Sequence, residues 1–214
     1  MRSFLKWIVT LLRIVGCQQA TVEPATGLSS VKLEQQLETL EQLGLPLNGG
    51  VTVDDLLCSW DREEYESQPY DTLLFMLGSE VERKPWGQNA CDSAWNFDVE
   101  CIEGTGAYVT IVKNFCRVAG VPDLMSNLED FVDFENELAW LNYTIDGQKR
   151  HFDIPVDNDW ADPETVSAVI RDIERNGKRF YAKDNGQASI WFYLDKETAT
   201  KLNALTGGAL KTNE

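Results

Sequence analysis

Asp98 and Glu100 are two residues apart in a segment that alternates strictly, Trp95-Asn96-Phe97-Asp98-Val99-Glu100-Cys101. On a strand, alternate residues share a face, so both carboxylates point one way, with Glu103 just beyond them. Two carboxylates side by side can run acid/base hydrolysis as in glycosidases, or present an acidic face to a basic partner. A second oxygen-rich stretch holds Asp153, Asp157, Asn158, Asp159 and Asp162. Such ligands suit Ca²⁺, but Ala161 and Asp162 stand where an EF-hand needs a ligand and its turn glycine. Ser29-x-x-Lys32 has Ser/Lys hydrolase spacing without a later Lys-Thr-Gly, and no Gly-x-Ser-x-Gly, Walker loop or dinucleotide fingerprint occurs. His151 is the one histidine, between Arg150 and Phe152, and reads as an exposed strand residue. These residues imply no metal and no cofactor.

Four cysteines past residue 17, Cys58, Cys91, Cys101 and Cys116, contain no Cys-x-x-Cys and so exclude a zinc or thioredoxin-type site. In an exported protein an even number suggests disulfides, with three connectivities open; Cys91–Cys101 with Cys58–Cys116 is one. The other reading leaves Cys58, Cys101 and Cys116 as small buried hydrophobes on apolar faces. The hairpin around Asn185-Gly186 carries Phe180, Tyr181, Trp191, Phe192 and Tyr193. Aromatics on both faces fit either a sheet covered on both sides or an exposed patch, with Trp191 and Tyr193 anchoring a partner.

The elements positioning these residues are legible from periodicity. Leu33, Leu37, Leu40 and Leu43 share a helix face, capped by Ser29 or Ser30 and ended by Gly44 and Pro46. Thr52 opens a second helix carrying Leu56, Leu57 and Trp60, and Tyr70, Leu73, Leu74 and Leu77 make a third, closed by Gly78. Tyr108, Ile111, Val112, Phe115 and Cys116 give a fourth helix after the 95–101 strand. Hairpins turn at Asp146-Gly147 and Asn185-Gly186. Each precedes a helix: Asp162-Pro163-Glu164 starts one, and Asp195 caps the last, 196–205. The pattern predicts a single α+β domain over 31–207. Its helical N-terminal half packs on a mainly antiparallel sheet of four strands, built from ββα–ββα units, and 208–214 is a tail.

The chain has 214 residues, 35 Asp+Glu against 19 Lys+Arg, and a formal charge of −16. Such a surface repels phosphate backbones, which argues against nucleic acid and for a basic protein partner. The N-terminus, MRSFLKWIVTLLRIVGC, has a positive start and an apolar run too short to span a bilayer. From its residues alone it is a signal h-region or a short amphipathic helix. It ends Ile14-Val15-Gly16-Cys17, which resembles the lipobox of bacterial lipoproteins. The resemblance covers 17 residues. It implies that 1–16 is a cleaved signal peptide, that Cys17 carries the lipid, and that 17–30 includes a polar tether reaching about 40 Å. Gln18, which is not Asp, resembles the pattern of lipoproteins sent to the outer membrane, facing the periplasm. Removal of 1–16 takes Arg2, Lys6 and Arg13 and brings the charge from −16 to −19. The expected function is non-catalytic binding by a membrane-tethered acidic protein. Its sharpest form is an immunity or inhibitor protein neutralising a basic toxin or wall enzyme. The alternative is a carboxylate-dependent periplasmic hydrolase of wall glycan.

Overall fold

The computed structural model describes residues 30–212; the expected signal peptide (1–16), Cys17 and nearly all of the expected tether lie outside the described residues. Four helices open the described chain: α1 (Leu33–Gln42), α2 (Val53–Ser59), α3 (Arg62–Ser67) and α4 (Asp71–Leu77). On the apolar stripe of α1, Leu33 and Leu40 are fully buried and Leu37 partly so. Gln36 lies on that same buried face. Its Nε2 donates to the carbonyls of Val31 and Tyr65 at 2.8 Å each, and its Oε1 accepts from Tyr70 N at 2.7 Å. This buried amide joins α1 to α3 and α4 with its hydrogen bonds satisfied. The N-cap position of α1 is Lys32 and not Ser30, and the Lys32 N–H donates to Gln35 Oε1; Ser29 lies outside the described residues. In α2, Asp55 reaches back to accept from Thr52 N and Oγ1 at 2.8 and 3.0 Å. Helix α3 was not expected, because Tyr65 is its one apolar residue.

The strands form two antiparallel sheets. The first orders β1 (Ala94–Asp98), β6 (Ala188–Asp195), β5 (Lys178–Asn185) and β7 (Leu210–Thr212) as β1-β6-β5-β7. The second orders β2 (Met125–Asp133), β3 (Leu138–Ile145) and β4 (Gln148–Ile154) in sequence. Three helices complete the fold: α5 (Ala107–Val118), α6 (Pro163–Ile173) and α7 (Lys196–Leu205). The α+β class holds, and both hairpins pair as expected. They do not build one four-stranded sheet: β3-β4 takes β2 as its third strand, while β5-β6 takes β1 and β7. The expected tail is thus partly a strand, with Leu210 opposite Lys183 and buried.

The four-stranded sheet is covered on both faces. Ile190, Phe192 and Leu194 point to a core with Leu33, Leu40, Leu73 and Leu77 of the first helices and Leu202 of α7. Phe97 and Phe180 point the other way, against Phe115 of α5 and Val169, Ile170 and Ile173 of α6. Leu141, Tyr143 and Ile145 of β3 belong to that second core. Each fully buried Leu or Phe contributes roughly 1.5–3 kcal/mol relative to exposure. Gly78 lets α4 end directly on β1: a Cβ there would sit 2.8 Å from Asn96 N, which donates to the Gly78 carbonyl at 2.7 Å.

Candidate functional site

Strand β1 ends at Asp98, three residues short of the expected run to Cys101. The cause is local: Asp98 Oδ1 accepts from Glu100 N at 3.0 Å and also from Gln187 Nε2 at 3.2 Å, which turns the chain. Beyond the turn the backbone pairs with a different segment. Ala161 N donates to Val99 O at 2.8 Å, Ile102 N donates to Asp159 O at 2.9 Å, and Glu100 bridges Trp160 in antiparallel fashion. Directly paired residues of an antiparallel bridge point to the same side, so the Glu100 and Trp160 side chains are neighbours. A turn closed by Trp160 N on Asp157 O, 3.0 Å, fixes the indole's backbone.

Trp160 is 43% exposed, and Phe134, in the turn between β2 and β3, is 41% exposed. The two line one shallow hollow over Ile102, Tyr108 and Val156. Its volume of about 10 Å³ is room for a single water, too little for a substrate. Asp98, Glu100, Glu103, Asp157 and Asp159 are all exposed. Burial first, and then the carboxylates of Asp98, Asp159 and Glu103, push the Cys101 thiol up to about 11. A wider hollow of about 480 Å³ opens beside Trp95, Cys101, Glu103 and the Gly104–Ala107 turn. The first turn of α5 is capped there by buried Asp130 of β2, which accepts from Gly106 N at 2.6 Å and Val109 N at 3.1 Å. Asp98 and Glu100 therefore stand on an open surface, not in a water-excluding cleft.

Trp191 and Tyr193 lie elsewhere, and of the two readings of this hairpin the sheet covered on both sides holds, not the exposed aromatic patch. Trp191 is half-buried, its ring edge-on to Phe115 at 5.6 Å and to Phe180 at 6.4 Å. Its Nε1 is buried with no hydrogen-bond partner. Tyr193 is tilted against Phe180 at 4.9 Å; its hydroxyl accepts from Arg175 N and donates to Arg175 O. Both faces of β6 serve cores, which explains why it carries large apolar residues on both, Ile190, Phe192 and Leu194 on one and Trp191 and Tyr193 on the other.

The expected disulfides do not form, and Cys58, Cys91, Cys101 and Cys116 are free. Cys91 and Cys101 flank opposite ends of β1, whose five residues span about 13 Å at 3.3 Å per step, whereas a bridge needs Cα atoms within about 7 Å. Cys58 is exposed on α2, its thiol donating to Asp54 O, while Cys116 is buried in the core behind the sheet. Burial pushes the Cys91 and Cys116 thiols up to about 11. The Asp153–Asp162 stretch disperses: Asp162 caps α6 through Thr165 N at 2.7 Å, and Asp153 sits 3.1 Å from His151 Nε2 on β4. His151 Nδ1 is 2.7 Å from Asn142 Oδ1, and the ring is exposed. Among the described residues no three His, Cys, Asp or Glu side chains converge as a metal-ligand set.

Sequence reasoning missed Trp160 and Phe134. The available clue was a tryptophan in an acidic loop, Asp157-Asn158-Asp159-Trp160, outside any apolar period. In comparisons with known proteins, no family model, no curated protein and no solved structure matches the chain.

Proposed function

We propose that the protein is a non-catalytic, acidic protein-binding lipoprotein that captures a basic protein. It would be tethered through Cys17 to the bacterial outer membrane on its periplasmic side. The observation that carries the binding reading is the open, exposed placement of Asp98, Glu100 and Glu103 around a fixed aromatic edge. Acid/base hydrolysis needs carboxylates in a site that excludes water and shifts their pKa apart. Asp98 instead accepts hydrogen bonds from a backbone amide and Gln187 on an open surface. Surface carboxylates serve best to steer a cationic partner and select against acidic ones. A tethered inhibitor of this kind suits a basic toxin or wall enzyme. The test is capture from periplasmic extract with the full chain, followed by an activity assay of the captured protein. A basic protein that is released by salt and loses its activity when bound supports the reading. Captured proteins that are acidic, or that keep full activity, contradict it.

A further inference from the structure

Three segments meet at the edge carrying Trp160: 94–106, 129–139 and 153–162. Together they hold twelve Asp and Glu and no Lys, Arg or His. Asp130 and Asp162 are occupied as helix caps; the rest include Asp98, Glu100, Glu103, Asp157 and Asp159, all exposed. Within this field two large aromatics are left in water. Leu138, 50% exposed, continues the apolar edge, paired with Asp133 next to Phe134. Trp160 is not exposed through looseness: its own N–H, its bridge to Glu100 and the bonds of Asp159 and Ala161 all fix its backbone. An aromatic held rigidly at the surface meets a partner at small entropic cost, which is how binding hot spots are built.

We infer that Trp160, with Phe134 across the shallow hollow from it, anchors an arginine of a basic partner, the guanidinium stacking on the exposed indole and bonding to the Glu100 carboxylate beside it. This rests on the capture reading and names the contact through which capture acts. The hollow is too small to take an inserted side chain, so the contact is stacking over the surface. A guanidinium fits both neighbours: its plane lies on an indole, and its paired N–H groups match a carboxylate. Lysine, a compact ammonium with a strong hydration shell, satisfies the charge but not the plane. Charge complementarity selects the occupant: an acidic or neutral segment would bury an aromatic edge among unpaired carboxylates.

The test uses the full chain with octa-arginine and octa-lysine peptides at 0.15 M salt, read by isothermal titration. Wild type should bind octa-arginine at least fivefold more tightly than octa-lysine. Trp160→Ala should weaken octa-arginine about tenfold and abolish the preference. Trp86→Ala removes a tryptophan that is 68% exposed in a different loop, and should leave both affinities within twofold. Trp160→Phe, which keeps an aromatic face, should retain most of the preference and so separates anchoring from any folding defect in the alanine variant. Equal effects of Trp160→Ala and Trp86→Ala would overturn the anchor. If both bind as wild type while Asp98→Asn/Glu100→Gln/Glu103→Gln binds weakly, the anchor falls and the capture reading stands. Absence of binding by wild type to either cationic peptide would overturn both.

Discussion

Replacing Trp191 with Ala removes an indole packed edge-on against Phe115 and Phe180 and leaves a gap in the second core. The expected loss is about 3 kcal/mol of stability, the low end for a large core aromatic because the ring is only half-buried. Trp160→Ala, at the exposed edge, should stay within about 1 kcal/mol. Urea midpoints of the two variants check this; equal losses would mean that the burial contrast has no energetic content. The cysteines give a second contrast at this scale. Cys58 is exposed, whereas burial holds the thiols of Cys91, Cys101 and Cys116 protonated at neutral pH, with values raised to about 11. The thiolate is the nucleophile. Alkylation read by peptide mass should therefore label Cys58 first in the native protein, and all four only after denaturation without reductant. Any of the four left unlabelled there would restore a disulfide.

At the scale of elements, α5 depends on a residue from another strand. Gly106 and Gly104 supply no side-chain cap, and Asp130 of β2 accepts from the first-turn N–H groups instead. Asp130→Ala should cost about 1–2 kcal/mol, and an engineered Asp at position 105 should not recover it, since the donors already face β2. Thermal unfolding monitored by circular dichroism measures both. Local chemistry made most elements legible beforehand. Asp162-Pro163 and Asp195 cap α6 and α7 as expected, with Thr165 and Thr198 donating. Asp146-Gly147 turns the β3-β4 hairpin with both residues at positive φ. Strand β2 was hidden because its register shifts between Ser126 and Glu129, with Asn127 at φ 50°, which breaks the period of two. Strand β7 is too short for a period to show. Turn residues fix which strands form a hairpin, but the sheet a hairpin joins depends on pairing over long sequence distances, as between β1 and β6. The same limit applies at the site. The carboxylates of Asp98, Glu100 and Glu103 were legible from alternation, but the Glu100–Trp160 bridge joins residues sixty positions apart. Alternation therefore points to aromatics on the β5-β6 hairpin, Trp191 and Tyr193, which pack against the second core, and gives no sign of the exposed Trp160 beside Glu100.

At the scale of the whole molecule, charge and proposed location act together. A chain at −16, or −19 after loss of residues 1–16, repels acidic neighbours and draws cationic ones over distances set by salt. Lipidation at Cys17 would confine that field near a membrane. Cys17→Ser should move the protein from the membrane fraction to the soluble one; equal fractionation, with an intact Met1 by mass spectrometry, would contradict the anchor. The most direct measurement of capture by charge is the association rate with the basic protein recovered in the capture experiment, taken from 0.05 to 0.5 M salt. The account predicts that the wild-type rate falls about tenfold or more across that range. It also predicts that Asp98→Asn/Glu100→Gln/Glu103→Gln starts lower and falls less, with dissociation nearly unchanged. A wild-type rate indifferent to salt, or a triple variant that associates as fast as wild type, would contradict it.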